Sequence, residues 1–466
     1  MTPVDAGLAP ANEVIGAALA ASRGAGCVVL VEDSSDAELR FANNTTTTNG
    51  VRRSRTVTVV GIAEVQGGVA AGSATRSGVV DVADLVRAAE DTAASAPAAE
   101  DASALLEGTA DRGCDEPAPE TDLSALATVL GGLPGAFERA GRSGTVLAGF
   151  VEHGVKTTYL GTSTGIRRRH VQQTGSLELT GRADGGARAA WAKVGTADFA
   201  GVTLEQLEED LARRLQWASR RVDLPAGRYE VVLPPGAVAE FMADLYGYAS
   251  AGQDAEDGTT VFSRSGGGTR VGDRLSALAF ELRSDPMEPG IECMPFLATG
   301  ASSASTSVFD NGLAFERTRW IADGHLAALR YHRAGAMRSG VAAAGLIDNL
   351  VLELPGATRS VDDLVATTER GLLLNSLFYI RMVDPRTLLL TGLTRDGVYL
   401  VENGTVTGAV NNFRFNESPV DLLARATEAG ASIRTIGRES GEYLNRTKAP
   451  PLRIPDFNMS SVSPAS

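Results

Sequence analysis

Residues 55–65, RTVTVVGIAEV, decide the reading of the N-terminal part of the chain. Apolar and polar residues alternate along them, Gly67-Gly68 interrupts the run, and residues 69–75 return, which is the pattern of an antiparallel hairpin. Upstream, residues 12–23 are an Ala-rich helical run, residues 27–32 (CVVLVE) a short apolar strand, and residues 34–40 a polar turn entering a further helix. Downstream, residues 81–91 carry apolar side chains at helical spacing. A helix packed on an antiparallel sheet accommodates all of these pieces.

Residues 89–121 shift to Ala, Glu, Asp, Ser and Pro, the composition of a solvated, mobile connection, with Cys114 as an exposed thiol inside it. Strands are expected over 145–152, 155–161, 170–182 and 187–194. An amphipathic helix over 204–221 then places Leu204, Leu207, Leu211, Leu215 and Trp217 near one face. These elements make residues 1–225 an N-terminal α/β domain with helices on an antiparallel-rich sheet. Residues 227–233 (GRYEVVL) open a second part as a strand, followed by Pro234-Pro235-Gly236 and a helix over 237–251. Further strands are separated by Asn311-Gly312, Asp323-Gly324, Asp396-Gly397 and Asn403-Gly404, dipeptides favoured in two-residue hairpins. Ser360 with Asp363 marks the start of a short helix over 361–370. Residues 226–466 thus form a mainly antiparallel β-rich domain, and the fold class is α+β.

The 466 residues allow two or three domains with substantial cores. Aromatics are only 5% and Gly reaches 52, so Ala, Val and Leu with many tight turns must build those cores. The net charge of −14, with Lys156, Lys193 and Lys448 the only lysines, excludes a basic stripe for nucleic acid. No apolar run is long enough for a membrane helix, and residues 1–26 lack the pattern of a secretory leader. Cys27, Cys114 and Cys293 are isolated thiols without CxxC spacing, which fits a reducing, cytoplasmic compartment and offers no cysteine zinc cage.

Four candidates carry chemistry. Glu240 and Asp244 stand at i and i+4 on the helix after Pro235, with Tyr246 and Tyr248 beyond. Two such carboxylates can share a metal or a proton, although their ordinary reading is a solvated helix face. His325 follows an Asp-Gly turn and sits in a hairpin, seven residues before His332. Neither these nor His153 and His170 show the spacing of a self-contained zinc site. Cys293, in GIECMPF, has no neighbouring histidine to activate it and reads as a packing cysteine. SGGGTR at 265–270 lacks the Gly-Lys-Ser/Thr and following helix of a phosphate loop.

Residues 163–182 (STGIRRRHVQQTGSLELTGR), 234–248 (PPGAVAEFMADLYGY), 378–404 (FYIRMVDPRTLLLTGLTRDGVYLVENG) and 449–463 (APPLRIPDFNMSSVS) together resemble the TldD/PmbA family of metallopeptidase-related proteins, most closely its TldE (PmbA) branch. The resemblance implies an N-terminal α/β domain and a C-terminal domain of curved antiparallel sheet. It also implies an assembly in which a TldD-like partner holds zinc through a His-Glu-x-x-x-His helix and a later Cys, and cleaves unfolded peptides. That helix corresponds here to residues 239–244, AEFMAD, where both histidines are absent, and residues 435–443 contain no Cys. The expectation is a non-catalytic subunit with no cofactor of its own, paired with a zinc-bearing partner or self-associated as a homodimer when isolated. The alternative is a divergent enzyme that tailors a peptide or small metabolite using Glu240, Asp244, His325 or Cys293.

Overall fold

The computed structural model describes residues 8–463; residues 1–7, part of the stretch read for a leader, lie outside the described residues. β1 (Gly26–Ala42), β2 (Thr45–Val65), β3 (Gly68–Ser77), β4 (Val146–Thr162), β5 (Arg167–Ala183) and β6 (Arg188–Thr196) form one antiparallel sheet in the order β3-β2-β1-β4-β5-β6. Four helices, α1 (Ala11–Ala21), α2 (Val82–Ser95), α3 (Ala127–Arg142) and α4 (Leu204–Trp217), cover one face. Alternation along β1 explains this arrangement. Val29 and Val31 meet Val14, Ile15, Leu85 and Val86 of α1 and α2, while Leu39 and Phe41, of the same parity, meet the α3–α4 pair. Val28 and Leu30 point the other way, onto Phe296, Val308 and Phe309 of the C-terminal half. α2 lies so close to β3 that a Cβ at Gly72 would stand 2.2 Å from the backbone nitrogen of Ala93.

Three features differ from the sequence expectation. The polar turn and helix expected over 34–40 are instead the middle of the continuous strand β1. Asp33 and Ser35 have turn propensity, but Asp33 pairs with Arg55 on β2 at 2.5 and 2.6 Å, and the Ser35 hydroxyl donates to the Thr121 carbonyl while accepting its N–H. Pairing on both sides overrides local preference. The two strands expected at 145–152 and 155–161 are likewise one, β4. Helix α3 went unread because Gly131, Gly132, Pro134 and Gly135 look like breakers, yet Val129, Leu133, Ala136 and Ala140 give it a continuous buried stripe.

The segment 89–121 is not a solvated linker. α2 continues to Ser95, after which Ala99, Ala102, Leu105 and Leu106 pack against the β1–Phe296 cluster. Its backbone is tied by Tyr159 to the Glu116 carbonyl (2.7 Å), by Arg333 to the Ala104 carbonyl (2.7 Å) and by Arg338 to the Glu100 carbonyl (2.9 Å). A polar composition leaves backbone groups that long side chains from elsewhere can hold.

The C-terminal half contains two sheets. A ten-stranded, mainly antiparallel sheet curls into a half-barrel, with Gly227–Leu233 and Leu452–Val462 paired at its centre, and begins at Arg221–Val222. A six-stranded sheet runs from His325–Leu326 through Thr318–Ala322, Glu281–Ser284, Leu350–Glu353 and Thr447–Ala449 to Ile433–Thr435. Asp323-Gly324 and Asn403-Gly404 turn two hairpins with both residues at positive φ, as their types require. Asn311-Gly312 does not turn a hairpin: Asn311 has φ −53° and instead bridges Thr299 and Val308 through its side chain. Ser360 and Asp363 form a full capping box on Val361–Ala366.

Candidate functional site

Between the two sheets runs α5 (Pro235–Asp244), shorter than the expected 237–251 and continued by a π-helical turn over Leu245–Ala249. Every side chain from Ala237 to Asp244 is buried, and Phe241 packs edge-to-face with Phe415 and Phe457 of the half-barrel. The reading of Glu240 and Asp244 as a solvated helix face is therefore overturned: they are 2% and 5% exposed. A helix apolar on all sides has no solvated face, so its polar residues are carried inside with it.

Buried charge demands partners, and Glu240 has two. Its Oε1 accepts the N–H of Glu439 (2.7 Å) and its Oε2 that of Ser440 (2.9 Å), so both carboxylate oxygens face one loop. Gly437 makes the approach possible, since a Cβ there would stand 2.8 Å from the Glu240 carboxyl carbon and 2.1 Å from Ser440 Oγ. Burial pushes the Glu240 pKa up, against the downward pull of the two amides. One turn later, Asp244 accepts the Tyr443 hydroxyl at 3.1 Å. Burial first, then the Glu240 charge, push Asp244 up to about 7.

The loop that receives Glu240 is fixed from the other side as well. The Glu439 carboxylate accepts the N–H of Ile380 (2.8 Å). Arg438 donates to Asp396 (2.8 Å) and Ser376 (3.0 Å), with its guanidinium 4.8 Å from the ring of Trp191 on β6 and 5.3 Å from that of Phe378. Tyr379, just before Ile380, has φ +56°, a left-handed conformation costly for a bulky residue. Tyr443, whose hydroxyl meets Asp244, is more than half exposed, so this ring links the buried carboxylate to the surface. A carboxyl group poised near neutrality beside a phenol can hold or pass a proton.

His325 and Cys293 are not brought to this pair. His325 begins a two-residue strand with its Nδ1 on the Asp323 carbonyl, and neither it nor Cys293 is among the groups acting on Asp244. Cys293 is buried, and burial pushes its thiol up to about 12, far from a thiolate nucleophile. His153 is held between Thr121 and the Ala197 carbonyl, His170 lies on β5 beside Gln172, and His332 caps the helix Arg333–Ser339. The zinc chemistry that the resemblance attaches to this helix finds no fitting donor set here. Both Glu240 oxygens are committed to backbone amides, no imidazole or thiolate adjoins them, and among the described residues no three His, Cys, Asp or Glu side chains form a ligand group.

Sequence reasoning missed Tyr443, Glu439, Arg438 and Gly437. The one available signal was the uniform apolarity of residues 235–246, which implies burial of Glu240 and hence a need for donors. It does not say where in the chain those donors lie.

Residues 226–461 match the PmbA/TldA metallopeptidase C-terminal domain. None of the curated proteins matches in sequence. In structure the chain is similar to TldE from Thermococcus kodakarensis, with TM-score 0.74 and 16% identity over 97% of this chain and 99% of that one. A proposed DNA gyrase modulator of Thermotoga maritima gives 0.75 and 15% over 96% and 99%. Another, from Bacteroides thetaiotaomicron, gives 0.72 and 15% over 97% and 98%. At these identities the structural likeness concerns the fold, α+β with a curled antiparallel sheet, whereas the sequence match spans half of the chain. On that match, the chain belongs to the PmbA/TldD family of metallopeptidase-related proteins.

Proposed function

We propose that this chain is the non-catalytic, TldE-like subunit of a two-subunit zinc peptidase acting on unfolded or precursor peptides in the cytoplasm. The observation that carries the reading is the commitment of both Glu240 oxygens to the Glu439 and Ser440 amides, at the position that the resemblance matches to the glutamate of the catalytic subunit's helix. A glutamate locked in this way fixes a loop and is not free to activate water. The start of the family match at residue 226 supports a division into 1–225 and 226–466. The free thiols of Cys27, Cys114 and Cys293 suit a reducing compartment. Among the described residues no helix is long and apolar enough to cross a membrane.

Co-expression with a TldD-like chain bearing His-Glu-x-x-x-His from the same genome tests the pairing. The expected result is a heterodimer in light scattering, replacing the homodimer of the isolated chain and carrying zinc on the partner. Two separate species that do not mix would overturn the assignment. One observation favours the alternative, a divergent enzyme tailoring a peptide or metabolite: the buried Asp244, near neutrality and hydrogen-bonded to the exposed Tyr443, could serve as its proton carrier. Turnover by the isolated chain that is lost in Asp244→Asn would establish that reading instead.

A further inference from the structure

A polar cleft of about 340 Å³ lies where β5 faces the C-terminal half, lined by Gln172, Gln173, Thr174, Arg434, Asn445 and Arg446 among others. Two arginines give it its character. Arg434, half-buried on Ile433–Thr435, makes no side-chain hydrogen bond or ion pair among the described residues, and its Nε is buried without a partner. Arg446 is 9% exposed. It spends Nη1 on Asn445 (2.6 Å) and Nη2 on Asp348 (2.5 Å), but its Nε is also buried and unpartnered. Burial and the neighbouring Arg446 both disfavour the Arg434 charge, and the exposed carboxylates of Asp198 and Glu292 act on it only from beyond ion-pair distance. The buried Nε atoms are out of reach of the cleft, but a guanidinium keeps its proton, and the Nη donors of Arg434, which lines the cleft and has no side-chain partner among the described residues, can be met by an acceptor that enters it.

The wall opposite the arginines points to the kind of molecule that brings this acceptor. β5 pairs with β6 only from Gly175 onward, so the backbone of residues 171–174 is paired with β4 on one side and among the described residues has no strand partner on the other, where the Gln172 side chain alone spans the gap, donating to the Gln173 (3.2 Å) and Glu292 (3.3 Å) carbonyls. An open strand edge takes an extended main chain by adding a strand. Glu292 on the rim and the overall charge of −14 disfavour a phosphate polyanion, whereas a single carboxylate matches the planar fork of one arginine.

We propose that the Arg434–Arg446 cleft binds a carboxylate carried by an extended peptide. The inference extends the peptide-handling role, but it concerns the isolated chain and can fail without the partner assignment failing. The test uses three fluorescein-labelled octapeptides of Gly, Ser and Ala: one with a free C-terminus, its C-terminal amide, and the amide carrying one central Asp. Fluorescence anisotropy on the isolated chain should give at least tenfold tighter binding for a carboxylate-bearing peptide than for the plain amide. If the free C-terminus alone gives the gain, the site reads chain ends; if the Asp peptide also gives it, the site reads side chains. Arg434→Met should erase the preference, and Arg434→Lys, with circular dichroism unchanged from wild type, should restore part of it. Equal binding of all three peptides, no measurable binding at millimolar protein, or an unaltered preference in Arg434→Met would overturn the proposal.

Discussion

Glu240→Ala is expected to lower the stability of the chain by about 3–5 kcal/mol in urea unfolding. The substitution leaves the buried Ser440 amide and the half-buried Glu439 amide without acceptors, worth up to about 1–3 kcal/mol each, and opens a void between the sheets. Glu240→Gln retains the volume but offers one carbonyl oxygen to two amides and turns an NH2 toward the second, so a smaller loss of about 1–3 kcal/mol is expected. The two values should keep this order, and proteolysis near residues 436–444 should increase in the alanine variant first. A loss below about 1 kcal/mol for Glu240→Ala would mean that the loop does not depend on this carboxylate.

Asp244→Asn is expected to stabilise the protein above neutral pH. The folded pKa of about 7 lies above the ordinary aspartate value of 3.8, so the folded state binds this proton more tightly than the unfolded chain does. The associated stability is fully present below pH 4 and is lost as pH rises through 7, where the carboxylate must ionise inside the protein. Asparagine removes that loss. At pH 8 the variant should exceed wild type by about 2 kcal/mol, with the full three-unit shift setting a ceiling of about 4 kcal/mol. At pH 4 it should be equal or slightly weaker, because the Tyr443 contact is altered. Thermal unfolding of both proteins between pH 4 and 8 reads the difference directly. A difference independent of pH would show that Asp244 is not ionising within this window.

Much of the architecture was legible because it rests on local pattern. The hairpin at residues 55–75, the amphipathic helix expected over 204–221 and ending at Trp217, the strand 227–233 and the Asp323-Gly324 and Asn403-Gly404 turns each carry their own signal, whereas Asn311-Gly312 and Asp396-Gly397 carry the same dipeptide signal and turn no hairpin. β1 was not legible through Asp33 to Asp36, since its strand identity comes from Arg55 on one neighbour and Thr121 from a distant segment. α3 was hidden for the opposite reason: its glycines and proline speak locally against a helix that tertiary packing stabilises. At the site, Glu240 and Asp244 could be singled out by spacing, but their burial and their partners at 439–443, some 200 residues away, are properties of the folded chain. The same distance conceals the cleft, where β5 and the arginines at 434 and 446 become neighbours only after both halves have folded.

The central claim, that Glu240 holds a loop and performs no chemistry, is tested most directly by peptide cleavage in the co-expressed complex. Three complexes are compared at equal concentration: wild type, this chain with Glu240→Gln, and the partner with the glutamate of its His-Glu-x-x-x-His helix changed to Gln. The account predicts that the partner substitution abolishes cleavage, while Glu240→Gln leaves kcat within about twofold once its complex is shown to be assembled. Loss of cleavage in an intact Glu240→Gln complex as complete as that from the partner substitution would contradict it.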